Sequence, residues 1–275
     1  MKLAVYAHPD DLDALPDHGG LARLADLGID EVALATGYHA GRWLTPWHTG
    51  ARVRFLEDGV VHFRPGFDYG ALRPEPSRSV PASGPSPLEK LCEDAARAQI
   101  RVRAWNVFTH NSRLGAMHPE FCVENAFGDR YRYALCPSQP AVQRYVLGLL
   151  RDLGSHAGLA TVELEAIGWL GWKHGSHHDK ASLQPRGWLD LALSLCFCPA
   201  CEGVAKVAGG SLAEAREWAR GAIRDAIELG DAMAPVEPEP PGDVISLVGA
   251  SRIATMHELG RRVRAEVRPG LGLAL

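Results

Sequence analysis

Cysteine is scarce in this chain, six among 275 residues, and the features that would direct it to a membrane or to nucleic acid are missing. No apolar stretch is long enough to cross a bilayer. The amino terminus, "MKLAVYAHPDD", passes from one lysine through a short apolar run straight to His8, Pro9 and two aspartates, too short and too soon polar for a signal peptide. A formal net charge of -4 with no long run of like charges lacks the basic field that phosphate neutralisation needs. The expectations are a cytoplasmic protein with no membrane and no nucleic-acid partner. In such a reducing compartment clustered cysteines bind metal or do chemistry rather than form disulfides. A glycine-rich phosphate loop is also absent after the first apolar run, where "YAHPDDLDALPDHGG" stands instead, so the dinucleotide-binding fold loses its main signature.

What is present is an ordinary globular make-up, 46% hydrophobic and 23% charged, with apolar runs that alternate between strand and helix. "LAVYA" at 3–7 and "EVALATG" at 31–37 read as buried strands, separated by a short helix at 21–28 that a glycine closes. "ARVRFLEDGVVHFRPG" alternates apolar and polar residues on both sides of Asp58-Gly59, a hairpin signal. Ser86, Pro87 and Glu89 form a capping box that opens a helix ahead of the strand at 100–108. Val142, Tyr145, Val146, Leu149, Leu150 and Leu153 then share one helical face before the strand "LATVELEAIG". Ser211 and Glu214 are expected to cap a further helix, and a last helix runs into "GLGLAL", a fifth strand.

This alternation gives an α/β class, and the missing phosphate loop favours a (β/α)8 TIM-barrel-like fold over a doubly wound sheet. About five strand-helix units are recognisable, fewer than a complete barrel contains. The expected organisation is one barrel domain over 1–275, with a hairpin and loop excursion at 51–87 and a metal-binding loop around 173–203.

In a barrel the reactive groups come from the carboxyl ends of the strands. Strand one ends in Tyr6 and His8, strand two in Tyr38, His39 and Arg42, and strand three in Trp105, Asn106, His110, Asn111 and Arg113. Strand four ends in Glu163 and Glu165 and leads to Trp169 and Trp172. Aromatic rings, imidazoles, amides and carboxylates on one rim suit a carbohydrate: flat faces for sugar C–H surfaces, polar groups for hydroxyls, carboxylates for proton transfer. The candidate substrate-binding residues are His8, Tyr38, His39, Trp105, His110, Asn111, Arg113 and Trp169. Glu163 and Glu165, two apart in a strand, point to the same face. Glu165 is the candidate acid/base, and Glu163 a positioning group or the partner of an arginine such as Arg101 or Arg103.

Two clusters suggest metal. "WKHGSHHDK" carries His174, His177, His178 and Asp179, with His174 and His178 at a spacing that a helix would turn into two ligands for one ion. "LCFCPACEG" sets Cys196, Cys198 and Cys201 around a proline turn, the pattern of a thiolate zinc knuckle. A fourth ligand is needed. Cys92 lies on an apolar helical face, while Cys122 in "PEFCVEN" and Cys136 in "ALCPSQPAVQRY" both remain open.

"LCPSQPAVQRY", a strand ending in Glu165, and "CFCPAC" stand in an order that resembles the glycoside hydrolases of family 42, the zinc-containing beta-galactosidases, and related glycosidase-like barrel proteins. The resemblance covers about residues 135–201. It implies a structural zinc held by Cys136, Cys196, Cys198 and Cys201, and Glu165 as acid/base at the end of strand four. The family's asparagine directly before that glutamate is replaced here by Leu164.

The expected function is a glycoside hydrolase-like protein that acts on a small-molecule or oligosaccharide substrate by general acid/base catalysis, and a homo-oligomer is compatible with the sequence. Two alternatives follow from the same residues. One is a metal-dependent sugar isomerase or hydrolase that uses the histidine-rich loop with Glu163 and Glu165; the other is a non-catalytic carbohydrate-binding barrel.

Overall fold

The structure, a computed structural model, describes residues 2–46, 48, 50–174, 185–229 and 239–275. The chain begins with β1 (Ala4–Ala7), α1 (Pro9–Ala14), α2 (Gly20–Asp26) and β2 (Glu31–Tyr38). Four short strands follow, β3 (Gly41–Leu44), β4 (Val53–Leu56), β5 (Val60–Val61) and β6 (Glu75–Pro76), and then α3 (Pro87–Ala98) and β7 (Arg101–Val107). After α4 (Ser112–Met117) come β8 (Cys122–Glu124), β9 (Arg130–Leu135), α5 (Pro140–Ser155) and β10 (Leu159–Glu165). The last part is helical, α6 (Gly187–Ser194), α7 (Pro199–Val207), α8 (Ala213–Leu229) and α9 (Gly242–Glu266), and ends in β11 (Gly272–Ala274).

Strands β1, β2, β7, β10 and β11 pair in that order, all parallel, so each crossover places the next strand beside the last. A doubly wound sheet reverses this order at a switch point; a barrel does not. Among the described residues β1 and β11 each pair on one side only, so the sheet is a mixed α/β, barrel-wound arc. Where β2 meets β7, the register shifts between Ala35 and Gly37. Glycine is needed there, because a Cβ on Gly37 would stand 2.6 Å from Oδ1 of the buried Asn106.

One apolar cluster fills the space between this sheet and its helices, with Val102, Ala104, Val162 and Leu164 from the strands meeting Val146, Leu150 and Leu259. All six residues of the expected α5 face are buried. The same helix buries Asp152, whose carboxylate accepts from Gly66 N at 3.0 Å, Phe67 N and the Tyr69 hydroxyl, fastening the 51–87 excursion to the main body. A second cluster surrounds the four clustered cysteines and is built from β8, β9 and α6 to α9. No single helix among the described residues is long and apolar enough to cross a membrane.

Three local expectations are corrected. The strands on either side of Asp58-Gly59 do not pair with each other: β4 pairs with β3, and β5 with the end of β2. Open backbone groups at Gly37 and Tyr38 offered β5 a partner inside the main sheet. The end of β1 is a helix cap, since His8 accepts from the α1 backbone and Asp11 accepts from the His8 N–H at 2.8 Å. At the amino end of α8 Ser211 Oγ accepts from Ala213 N at 3.2 Å, as expected of a cap, but the partner carboxylate is Glu202 of α7, which accepts from Leu212 N and Ser211 Oγ at 2.9 Å each, in place of Glu214. The box expected at α3 is present, with Ser86 N donating to Glu89 at 2.7 Å.

Candidate active site and metal centre

The concave face of the sheet is polar. Period-two alternation sends Val102, Ala104, Val162 and Leu164 under the helices and leaves Arg103, Trp105, Glu163 and Glu165 on the opposite face. At its base, Arg103 bridges Glu31 on β2 and Glu163 on β10, the second contact at 3.0 Å, and Arg101 lies 3.5 Å from Glu31. The Tyr6 hydroxyl, on β1, donates to Glu163 at 3.0 Å. Glu163 is thus an ion-paired group, and its arginine is Arg103.

One step up the strand, Trp105 Nε1 donates to Glu165 Oε2. Tyr38 lies over the edge of Trp105 at 4.8 Å between centroids, and burial together with the charge of Glu165 pushes its hydroxyl pKa up. From Tyr38 the rings continue as a stack. His39 lies on Tyr38 at 4.3 Å, and His110 lies on His39 at 4.5 Å and 24°. Nε2 of His174 is 3.1 Å from Nδ1 of His110. Burial, then the neighbouring His39 and His174, push the His110 pKa down to about 4, and burial likewise lowers His174. His110 and His174 are therefore neutral near pH 7, and each offers one donor and one acceptor. His39, stacked between Tyr38 and His110, presents its edge to a ligand.

The turn after Glu165 is fixed. Thr109 Oγ1 donates to the carbonyls of Ala166 and Gly168 at 2.6 and 2.7 Å. Ala166 is held with φ at 52°, a left-handed conformation that non-glycine residues adopt at a cost. This turn sends the following residues away from the concave face, which corrects the reading of Trp169: its ring packs on the second cluster, with the Arg252 guanidinium 5.1 Å above it. Asn111 is corrected too. It is buried, its Oδ1 caps α4 at Leu114 N, and both N–H donors are taken by Gly59 O at 3.2 Å and the Tyr145 hydroxyl at 3.4 Å. A strand-end amide with no free donor fixes a loop. Arg113 does related work, donating to Asp58 O at 2.9 Å.

His8 lies one ring deeper. It is buried, meets Trp43 at 5.2 Å and His62 at 4.8 Å, and burial lowers its pKa. His177, His178 and Asp179 lie outside the described residues. Four rings of this region were missed in the sequence. Trp43 sits on the short strand β3 and His62 directly after β5, and Tyr131 and Tyr133 on β9, stacked at 5.7 Å with Tyr133 6.1 Å from His110. The alternation in "RYRYAL" carried the signal for the two tyrosines.

Behind the rim, Cys136 Sγ stands 3.5 Å from Cys201 Sγ and 3.7 Å from those of Cys196 and Cys198. All four are buried, and their sulfurs lie within 4.8 Å of one another. A metal with bonds of about 2.3 Å to four thiolates sets its sulfurs roughly 3.8 Å apart in a tetrahedron. The donor set therefore fits a metal ion. Cys198 and Cys201 occupy the amino end of α7, where the helix dipole favours thiolate, and Glu124 N points at Cys196 Sγ from 3.4 Å. Cys122 and Cys92 stand apart: burial pushes both thiols up to about 11. The cluster joins the exit of β9 to the segment ahead of α7.

No family model matches the chain, and no curated protein matches it. Solved structures do. The PgaB (BpsB) glycoside hydrolase domain from Bordetella bronchiseptica is 16% identical at a TM-score of 0.49, over 99% of this chain and 64% of that one. The beta-galactosidase from the psychrophilic Marinomonas ef1 is 14% identical at 0.48, over 99% and 36%. Alpha-L-fucosidase isoenzyme 2 from Paenibacillus thiaminolyticus is 11% identical at 0.51, over 99% of this chain and 32% of that one. The chain thus spans about a third of the fucosidase's length, and what the two share at this identity is a fold.

Proposed function

We propose that the chain is a glycosidase-like protein that acts on a carbohydrate, with Glu165 as general acid/base. One observation carries the reading: Glu165 stands at the carboxyl end of a barrel-wound strand, its Oε2 held by Trp105 Nε1, beside neutral imidazole and phenol edges. With Oε2 engaged, Oε1 is the atom that delivers a proton to a glycosidic oxygen and later takes one from water. His39, His110 and Tyr38 bond sugar hydroxyls through their edges, while Glu163, neutralised by Arg103, shapes the floor. The four cysteines hold a zinc ion that supplies structure and no chemistry, since a closed thiolate site leaves no open position for substrate. The single-barrel organisation expected from the sequence is part of the same reading.

The test is turnover of a panel of aryl glycosides by the purified chain and by Glu165→Gln. Loss of roughly 10²- to 10⁴-fold in kcat, with sugar binding retained, is expected. Equal rates in both proteins would remove the acid/base assignment. Binding of sugars without turnover by either protein would replace the enzyme with a non-catalytic carbohydrate-binding barrel.

A further inference from the structure

A small cavity of about 20 Å³ lies beside the cysteine cluster, lined by Cys196, Cys201, Phe197, Trp169, Ser251 and Arg252 among others. Two charge imbalances meet in it. Arg252, on α9, is half-buried, and among the described residues no carboxylate lies within ion-pair reach of it. The partners of its guanidinium are neutral: Nη2 donates to Ser194 O at 3.1 Å, and the group stacks on Trp169. Leaving a guanidinium half out of water with no anion is costly. On the other wall, four thiolates around a divalent ion carry a net charge of about -2 in a largely apolar cluster.

The second nearby cation is already committed. Arg216 donates to Phe197 O at 2.6 Å and lies 3.5 Å from Glu124. We propose that Arg252 is the counter-cation of the metal–thiolate centre, and that through it α9 is tied to the metal. The inference rests on the metal half of the reading above. Burial lowers the Arg252 pKa, and Arg252 lines the same cavity as Cys196 and Cys201. The contact also has reach: Ser194 accepts Arg252 through its carbonyl and Trp172 N through its hydroxyl at 2.9 Å, and Trp169 follows the turn that leaves Glu165.

The experiment measures zinc itself. Full-length wild type, Arg252→Met and Arg252→Lys are loaded with zinc and titrated with a chromophoric chelator, and cobalt(II) is substituted to read the thiolate charge-transfer bands. Methionine keeps the length of the stem without charge; lysine keeps the charge without the planar stack. The expected result is a 10- to 100-fold weaker zinc affinity in the methionine variant, the usual effect of losing a partner around a metal site, with lysine restoring most of it and the cobalt bands unchanged in all three. Equal affinity in wild type and the methionine variant overturns the proposal, as does a lysine variant as weak as methionine. If the methionine variant does not fold, Arg252→Gln is compared with lysine on the same terms. A wild type that binds neither zinc nor cobalt removes the metal reading itself, a result distinct from the other two.

Discussion

Moving the protein from pH 7 to pH 5 is expected to cost it roughly 2 kcal/mol through one side chain, His62, by the linkage between proton binding and folding. The residue is 3% exposed. Its Nδ1 is 3.1 Å from Ser79 Oγ, and its ring meets that of His8 at 4.8 Å. Burial first, and the His8 ring second, hold its pKa down to about 3, against about 6.5 for an unfolded histidine. The folded pKa is the lower one, so the unfolded chain takes up the proton first and stability falls as pH drops below about 6.5. At pH 5 the folded imidazole is still neutral, and the loss is set by protonation of the unfolded state alone. Urea titrations of wild type and His62→Gln at both pH values, repeated in a His8→Gln background, isolate the effect, because His8 touches His62 while the more distant histidines titrate alike in both proteins and cancel. Wild type should lose about 2 kcal/mol more than the variant between pH 7 and pH 5. Equal losses would refute the claim that His62 is buried neutral.

The metal centre and the core give two further predictions. Cys136→Ser is expected to abolish stoichiometric zinc and lower the melting temperature, whereas Cys122→Ser, which removes a buried thiol with only weak carbonyl contacts at 3.6 and 3.9 Å, should leave the metal content at wild-type level by elemental analysis. Gly148→Ala should cost about 1–3 kcal/mol in a urea titration, since its Cβ would stand 2.7 Å from the Tyr69 ring. Gly203→Ala, in α7 with nothing within 4 Å, is the control and should be neutral or stabilising.

What the sequence made legible was what a periodicity carries. The period of two put Glu163 on one face with Arg103, and the spacing of α5 named its buried face residue by residue. The capping box at Ser86 survived because both of its members are local. Where a nonlocal partner decided, local signals misled. Asp58-Gly59 promised a hairpin, but β5 lies on β2 and β4 on a strand too short to recognise, "GRWL". Asn111 and Trp169 ended strand-end segments like true site residues, yet one is consumed by Gly59, 52 residues away, and the other is turned aside at Ala166. No spacing rule joins Cys136 to Cys201 across 65 residues; resemblance to a family named it where local chemistry left Cys122 equally open. The cap formed by His8 escaped because histidine seldom plays the part of serine or aspartate.

If the cysteines hold the proposed metal, the position of Glu165 shows how that ion would bear on a site that it does not touch. The carboxylate sits where the first core ends, and the chain beyond it crosses into a second apolar cluster gathered around the cysteines. That crossing is held from the first side by Thr109 and from the second by Tyr133, whose hydroxyl donates to Gly171 O at 2.9 Å. β9, which carries Tyr133, ends at Leu135, directly before Cys136, so the ring that anchors the turn and a cysteine of the cluster are three residues apart. On the proposed reading, a closed metal site at the end of β9 would hold the strand that carries Tyr133, 6.1 Å from His110, and so steady the rings of the rim.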